Sequence, residues 1–280
     1  MQSLPGSRPR MPENADRSSL QPLLSSGEPP PYFVMHPGSE VPVVLACDHA
    51  SDRFPEVLGN LGLDAFARRC HLAVDIGAGP LTEYLADSLG ATAVLAQYSR
   101  LVIDCNRDLT DASAFLEYGD GIPVPGNRGL DAAAKRRRAE TIYGPYHAAI
   151  DTELDRLARL HVEPLFIGVH SFTPVLNGVS RPWEIGILWD RDRGLHVPFI
   201  EGFRQAGFET GDNEPYSGKV PEDYTIDNHA EARSLPCIGL EVRQDLVRDA
   251  AGIARVGNTL YRILENILAH RVRPRQKASG

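Results

Sequence analysis

The chain has 280 residues, of which 42% are hydrophobic and 24% are charged, which is enough apolar material for one sizeable core. Lysine and arginine number 29 against 37 acidic residues, so the formal net charge is −8. This acidity argues against nucleic acid and anionic membrane surfaces as partners, because both are bound through broad basic surfaces. The four cysteines form no Cys-x-x-Cys pair, which argues against a structural zinc knuckle or a redox motif.

The two ends of the chain differ in composition from its middle. Residues 1–32 are rich in Pro, Ser and Gly, and we expect a disordered leader there. Residues 271–280 are polar and basic, which predicts a flexible tail. Residues 33–270 are then one catalytic α/β domain. No signal-peptide pattern and no bilayer-spanning apolar stretch is present, so we expect a cytoplasmic protein.

Short apolar runs alternate with helical patterns along the domain. We predict strands at 41–47, 92–96, 101–104, 165–169, 185–189 and 237–242, and helices at 63–69, 79–89, 130–160, 198–206 and 245–269. Near-continuous apolar strands between helices are typical of a three-layer α/β sandwich, in which helices cover both faces of the sheet. Ligands of such folds bind at the carboxyl ends of the strands.

Polar side chains follow three of the predicted strands. His49 and Asp52 come after the first strand, His170 and Ser171 end another, and Glu241 ends the last. Two imidazoles and a carboxylate are compatible with zinc, and three protein ligands leave the open fourth position of a catalytic site. The structural alternative for the first pair is a loop histidine beside an N-capping aspartate.

Glu241 stands in a strand that is otherwise apolar until its end. A carboxylate in such a place costs desolvation free energy unless a partner neutralises it or its pKa rises. A raised pKa suits a general base that takes a proton from water. The structural alternative is a salt bridge to Arg243 or Arg233.

The densest polar cluster of the sequence lies between residues 99 and 107. Arg100 and Arg107 flank an apolar stretch, and Asn106 adjoins the second arginine. The planar guanidinium binds carboxylates bidentately, so one arginine can hold a substrate carboxylate while the other polarises the scissile carbonyl. The alternative is that Asp104 pairs with one of the two arginines as a structural bridge.

With these residues assembled, the chain resembles the N-formylglutamate amidohydrolase family. The stretches that carry the resemblance keep their order along the domain: Cys47–Pro55, His71–Ala78, Ser99–Arg107, Val169–Ser171, Asn213–Gly218 and Gly239–Val242. That family resembles zinc carboxypeptidases and aspartoacylase in fold. The resemblance therefore implies a zinc-exopeptidase-like sandwich with a mixed sheet between helix layers.

The resemblance also implies roles for individual residues. The ligands of a Zn²⁺ ion become His49, Asp52 and His170. Glu241 becomes the general base, and Arg100 becomes the group that polarises the carbonyl.

The substrate side of the site follows from the same resemblance. Asn106 and Arg107 become the clamp for the substrate carboxylate, and Ser171 and Tyr216 are expected to contact substrate. The implied function is zinc-dependent hydrolysis of a small N-acyl amino acid, such as N-formyl-L-glutamate. The alternatives are a deacylase or peptidase acting on another N-acyl amino acid, and a metal-free binding protein with the same fold. A serine esterase is disfavoured because no Gly-x-Ser-x-Gly elbow is present.

Several assignments stay open at this stage. The carboxypeptidase pattern has Glu where this chain has Asp52, whose side chain is one methylene shorter, so Asp48 or Asp75 is an alternative oxygen ligand. His71 and His147 have no assigned role. The stretch Asp-His-Ala-Ser also differs from the Pro-His-Ser-Gly of histidine-degrading members, which makes formylglutamate one candidate substrate among several.

Overall fold

The structure, a computed structural model, describes residues 22–160, 162–191, 194–220 and 223–272. The predicted leader up to residue 21 and the predicted tail from residue 273 lie outside the described residues. Residues 22–31, the rest of the predicted leader, pack against the domain. Leu23 is only 3% exposed, and the Tyr98 hydroxyl donates a hydrogen bond to the Pro29 carbonyl at 2.8 Å. The packed domain therefore begins earlier than residue 33.

A seven-stranded mixed sheet forms the middle layer. In chain order, the strands are β1 (Tyr32–Met35), β2 (Val43–Cys47), β3 (Thr92–Ala96), β4 (Tyr118–Gly119), β5 (Ile122–Pro123), β6 (Leu165–Phe172), β7 (Val175–Leu176), β8 (Val179–Ser180), β9 (Ile185–Leu188), β10 (Thr210–Asp212) and β11 (Cys237–Arg243). The spatial order of the sheet is β1-β3-β2-β6-β11-β9-β10. Its centre, from β3 to β11, is parallel, whereas β1 and β9 run antiparallel to their inner neighbours. The pairs β4–β5 and β7–β8 are separate hairpins.

Helices cover both faces of the sheet. They are α1 (Ala78–Leu89), α2 (Ala132–Arg138), α3 (Gly144–Arg159), α4 (His196–Gln205) and α5 (Ala250–Val272). A π-helical turn, Ala139–Tyr143, joins α2 to α3, so the predicted helix over 130–160 continues past Gly144-Pro145. A second π turn covers Ile226–Ala230, and 3-10 turns cover Glu56–Leu58, Ala112–Phe115, Pro125–Asn127, Glu231–Arg233 and Gln244–Leu246. Within the described ranges, no helix combines the length and apolar character needed to cross a membrane.

The sheet is buried on both faces, which explains its near-continuous apolar strands. Because successive side chains of a strand point to opposite faces, they enter two separate cores. Val44 and Phe166 belong to the core that includes α3, whereas Leu45 and Ile167 belong to the core that includes α1, α4 and α5. This arrangement confirms the predicted three-layer sandwich with a mixed sheet.

Two predicted elements are wrong. Residues 101–104 are buried but form an irregular segment that begins with a turn, because their backbone bonds outside the sheet. The Val102 N–H donates to the Ser99 carbonyl and the Asp104 N–H to the Ala114 carbonyl, each at 2.9 Å. Residues 63–69 form successive turns instead of a helix. Both segments are apolar because they pack in the core beside α3, and burial alone does not distinguish a turn from a strand or helix.

Candidate active site

The carboxyl ends of β2, β6 and β11 meet at one edge of the sheet because these strands are parallel. His49 follows β2 directly. β6 is longer than predicted, so that His170 and Ser171 lie within the strand rather than after it. The register places Glu241 of β11 opposite His170, and aligned residues on neighbouring strands point to the same face. The sheet itself thus gathers three of the predicted site residues.

His49, Asp75 and His170 form a buried cluster whose ligand atoms all lie within 4.8 Å of one another. Oδ2 of Asp75 lies 3.2 Å from Nδ1 of His49 and 2.9 Å from Nδ1 of His170. Donor atoms around a tetrahedral zinc ion are about 3.3 Å apart, given bond lengths of about 2.0–2.1 Å. The chemistry and the spacing of this donor set therefore fit a small divalent cation.

The outer nitrogens of both imidazoles face further carboxylates. Nε2 of His49 is 2.8 Å from Oδ1 of Asp104, and Nε2 of His170 is 3.3 Å from Oδ2 of Asp48. Ionised carboxylates only accept hydrogen bonds, so these two favour a proton on each Nε2. Asp75 favours a proton on each Nδ1 in the same way, and a cation would replace that proton. This outer arrangement is the one by which proteins orient metal-ligating histidines.

Replacing Asp104 with Asn should weaken divalent-metal binding by roughly 10- to 100-fold, the usual effect of removing the carboxylate behind a ligating histidine. Competition against a chromophoric chelator measures the dissociation constant. Asp108→Asn, an exposed neighbour in the same segment, is the matched control. An unchanged dissociation constant for Asp104→Asn, with the variant folded by circular dichroism, would show that Asp104 does not support a metal ligand.

The structure does not bring Asp52 to this cluster. Asp52 is exposed and lines a separate surface depression with Arg53 and Arg68. The chain turns outward after His49, whose carbonyl instead accepts a hydrogen bond from the Asp75 N–H at 3.1 Å. The predicted ligand set of His49, Asp52 and His170 is therefore corrected: Asp75, one of the alternatives, lies where the oxygen donor is needed.

Glu241 is 8% exposed, and its Oε2 has no hydrogen-bond partner among the residues that the structure describes. Burial raises the pKa of its carboxyl to about 7. The salt-bridge alternative is wrong, because Arg243 pairs with Asp245 at 2.7 Å and Arg233 pairs with Asp151 at 2.8 Å. A buried carboxyl with one oxygen unpaired among the described residues and with a near-neutral pKa suits proton transfer.

A cavity of about 160 Å³, here called the metal cavity, opens over the cluster. The predicted site residues on its walls are His49, Arg100, Asn106, Arg107, His170, Ser171, Tyr216 and Glu241. A larger groove of about 690 Å³ lies between α4 and α5, but it contains none of the predicted site residues. The predicted site residues named above therefore lie around the metal cavity and not in this groove.

Arg100 is bound to the carboxylates behind and within the cluster. Its Nε and Nη2 donate to Oδ2 of Asp104 at 3.0 and 2.7 Å, and its Nη1 lies 3.5 Å from Oδ1 of Asp75. Burial disfavours the charged form of Asp104, but the Arg100 guanidinium holds the pKa of that carboxyl well below its usual range. Asp104 thus forms a salt bridge with Arg100, which was the structural alternative for one of the two arginines. Arg100 still lines the metal cavity, and its action on a carbonyl stays a prediction.

Asn106 and Arg107 lie side by side on the cavity wall. The amide oxygen of Asn106 accepts a hydrogen bond from the Thr225 N–H at 2.9 Å, and its amide nitrogen donates to Asp223. Because an amide carries two N–H groups, one remains for a ligand. Nη1 of Arg107 donates to the Asn106 carbonyl at 2.9 Å. Both residues line the cavity, and their role in holding a substrate carboxylate stays a prediction.

Ser171 and Tyr216 also reach the cavity, with different freedom to bind a ligand. The Ser171 hydroxyl donates to the Ile76 carbonyl at 2.8 Å, so its proton already has an acceptor. The Tyr216 oxygen accepts a hydrogen bond from Nη1 of Arg181 at 2.7 Å, and Arg181 is only 8% exposed. The Tyr216 hydroxyl proton is therefore directed away from Arg181 and is available to a ligand.

The two histidines without an assigned role lie outside the cluster. His71 pairs with Asp120 at 2.7 Å. His147 lies 2.7 Å from His229 through Nδ1 and 3.0 Å from the Cys105 carbonyl through Nε2. His147 therefore supports the backbone next to Asn106 and is not one of the candidate metal donors.

The family model for N-formylglutamate amidohydrolase matches residues 41–248, a span that contains every residue of the metal cavity. The chain belongs to the N-formylglutamate amidohydrolase family. Membership supports an amidohydrolase activity and a small-molecule substrate, and it agrees with the resemblance that the motifs carried.

Two solved structures are similar to this chain over most of its length. A gene product of Agrobacterium tumefaciens shares 30% sequence identity and a TM-score of 0.86, with 90% of this chain and 100% of that chain covered. The N-formylglutamate amidohydrolase from Ralstonia eutropha shares 20% identity and a TM-score of 0.65 over 86% of this chain and 97% of its own, which shows a common fold. No curated protein compared with the chain matches it significantly.

Not every residue around the metal cavity of this family member was predicted from the sequence. Asp75 belongs to a matching stretch, and its place just before a glycine-started helix was the available indication of a site residue. Asp223 and Arg181 lie outside the matching stretches, in loops where no spacing marks them. They reach the site only because the loops fold over the ends of β6 and β11.

Proposed function

We propose that this chain is a zinc-dependent amidohydrolase that cleaves the amide bond of a small N-acyl amino acid, with N-formyl-L-glutamate as the first candidate. One observation carries the proposal: His49, Asp75 and His170 converge beside the buried carboxyl of Glu241 in a single cavity. Two imidazoles, one carboxylate and a nearby acid–base group form the donor set typical of metal-assisted hydrolysis.

His49, Asp75 and His170 would hold the zinc ion. When bound there, zinc would supply Lewis acidity, which lowers the pKa of water and polarises a carbonyl. Asp104 orients the His49 imidazole from outside through a hydrogen bond, and the Asp48 carboxylate lies 3.3 Å behind that of His170. With ligands held from both sides, the donor atoms need little rearrangement to bind the ion.

Glu241 is proposed to carry the proton through the reaction. Its carboxylate accepts a proton from the attacking water as the oxygen bonds to the amide carbon. The same carboxyl then donates that proton to the departing amine nitrogen as the C–N bond breaks. A group with a pKa near neutrality exchanges protons in both directions efficiently at neutral pH.

Arg107 and Asn106 are proposed to hold the substrate carboxylate, because a guanidinium and an amide N–H offer directed donors to its oxygens. Tyr216 is proposed to donate its hydroxyl proton to the substrate amide or to the oxyanion formed from it. Arg181 supports this role, because its N–H occupies the phenol oxygen and withdraws electron density from the O–H bond.

The proposal is tested by a hydrolysis screen of N-formyl amino acids with zinc supplied. N-formyl-Glu and N-formyl-Asp should be hydrolysed with a higher kcat/KM than N-formyl-Leu. Arg107→Lys should reduce this preference at least about tenfold, mainly through KM, because an ammonium does not reproduce the bidentate contact. Arg159→Lys, an exposed substitution on α3, is the control. Equal rates on acidic and apolar substrates would refute recognition of a side-chain carboxylate by Arg107.

A further inference from the structure

The candidate clamp for the substrate carboxylate, Asn106 and Arg107, lies in a segment whose backbone is outside the sheet. Side chains of the helical layer bind its carbonyl groups instead. The Tyr143 hydroxyl donates to the Arg107 carbonyl at 3.0 Å, and Nε2 of His147 lies 3.0 Å from the Cys105 carbonyl. Because these two carbonyls flank the Asn106–Arg107 pair, the two contacts hold the backbone from which both clamp side chains project.

His147 touches both stretches of backbone that orient the Asn106 side chain. One is the Cys105 carbonyl, which directly precedes Asn106. The other begins at Tyr224, whose ring meets the His147 ring edge-on with the centroids 5.3 Å apart. The next residue, Thr225, donates its N–H to the Asn106 amide oxygen at 2.9 Å. A displacement of the His147 ring would therefore change the direction of the Asn106 amide.

A second imidazole, that of His229, determines which nitrogen of His147 carries a proton. The Cys105 carbonyl only accepts hydrogen bonds, so the proton of His147 lies on Nε2. Burial lowers the pKa of His147 to about 4, which leaves a neutral ring whose Nδ1 can only accept. Nε2 of His229 lies 2.7 Å from this Nδ1 and is therefore the donor.

His229 is in turn held by a carboxylate at the surface. Its ring is fully buried, and its Nδ1 lies 2.8 Å from Oδ1 of Asp151, which is partly exposed and also pairs with Arg233 at 2.8 Å. Burial lowers the pKa of His229, and the Asp151 charge opposes that effect. Asp151, His229 and His147 thus form a continuous line, here called the histidine line, from the surface to the Cys105 carbonyl.

We propose that His147 is a positioning residue for the substrate carboxylate, and that the histidine line sets how tightly Asn106 and Arg107 bind it. The inference rests on the proposed carboxylate recognition by these two residues. No member of the histidine line lies on the wall of the metal cavity or among the candidate metal donors. It therefore acts on binding only through the direction of the clamp, on which guanidinium and amide hydrogen bonds depend.

The first experiment measures kcat and KM for N-formyl-Glu and N-formyl-Leu with the zinc-loaded full chain and two substitutions of His147. His147→Phe keeps a ring but removes the donor, so the preference for N-formyl-Glu should fall by about 2- to 10-fold, the factor for one hydrogen bond. The fall should come from KM, with kcat changed less than about twofold and zinc affinity unchanged. His147→Gln places an amide N–H near the position of Nε2 and should restore most of the preference.

The second experiment tests the far end of the histidine line without creating a cavity in the core. Asp151→Ala should lower the same preference by about twofold or more, because His229 loses the carboxylate that holds it. Asp155→Ala is the matched control: Asp155 lies one helical turn further along α3 and also pairs with Arg233, at 3.3 Å, but its carboxylate is directed to Arg233 and not to His229. This variant should keep the wild-type preference.

A ratio of kcat/KM values between two substrates does not depend on the fraction of folded enzyme, so a purely stabilising role of the histidine line would leave it unchanged. A selective wild type whose preference persists in His147→Phe and Asp151→Ala would overturn the inference and leave the proposed function standing. A loss in His147→Phe that His147→Gln does not restore would also overturn it. A zinc-loaded wild type that hydrolyses neither substrate would instead refute the proposed function.

Discussion

Replacing Glu241 with glutamine should lower kcat by about 10²- to 10⁴-fold, the range that a positioned general acid–base group contributes. Glutamine keeps the shape of the side chain but cannot accept the water proton or return it to the amine. Glu241 is not one of the three candidate ligands, so the zinc content of the variant should equal that of the wild type. Steady-state kinetics and elemental analysis of the same preparation measure both quantities.

The matched control for this variant is Glu83→Gln, which makes the same chemical change on the exposed side of α1. It should retain wild-type kinetics. Thermal unfolding of both variants separates catalysis from stability; because Oε2 of Glu241 makes no hydrogen bond among the described residues, the substitution should not lower Tm. Retained activity in Glu241→Gln would show that another group carries the proton.

The variants Asp75→Asn and Asp52→Asn should behave in opposite ways. Asp75→Asn replaces an oxygen donor between two imidazoles with a neutral amide, so zinc affinity should fall by more than the roughly 10- to 100-fold typical of a supporting residue. Hydrolysis should fall with it. Asp52→Asn changes an exposed side chain away from the cluster and should alter neither zinc binding nor kcat/KM.

Zinc affinity by chelator competition and activity at saturating zinc are the measurements for this pair. Because each variant makes the same substitution, they test the position of the oxygen ligand directly. If Asp52→Asn lost zinc and Asp75→Asn kept it, the ligand set given by the structure would be wrong and the His-x-x-Asp assignment would be right.

The sheet was predictable because its strands are apolar on both faces, as in Val43–Cys47 and Leu165–Phe172. The stretch Leu101–Asp104 is equally apolar but forms a buried irregular segment, because its backbone bonds to other turns and side chains instead of a strand, and composition does not reveal those partners. Residues 22–31 were predicted to be disordered, but they pack against the domain. A proline-rich composition suggested disorder, yet Leu23 finds a place in the core.

The candidate site was predictable where strand position determines it. His49, His170 and Glu241 follow from the parallel order of β2, β6 and β11, which brings strand ends together. Asp75 did not follow, because its approach depends on a loop whose N–H bonds to the His49 carbonyl. The short spacing from His49 favoured Asp52 as the oxygen ligand. Sequence spacing measures proximity along the chain, but it does not show the direction in which a loop leaves the sheet.

The location of the metal is tested most directly by anomalous X-ray scattering at the zinc edge, from crystals grown with zinc. We predict a single strong peak about 2.0–2.2 Å from Nδ1 of His49, Nδ1 of His170 and a carboxylate oxygen of Asp75. If the zinc ion of an active, zinc-dependent preparation lies elsewhere or is bound through Asp52, the metal centre on which the proposed hydrolysis depends is contradicted.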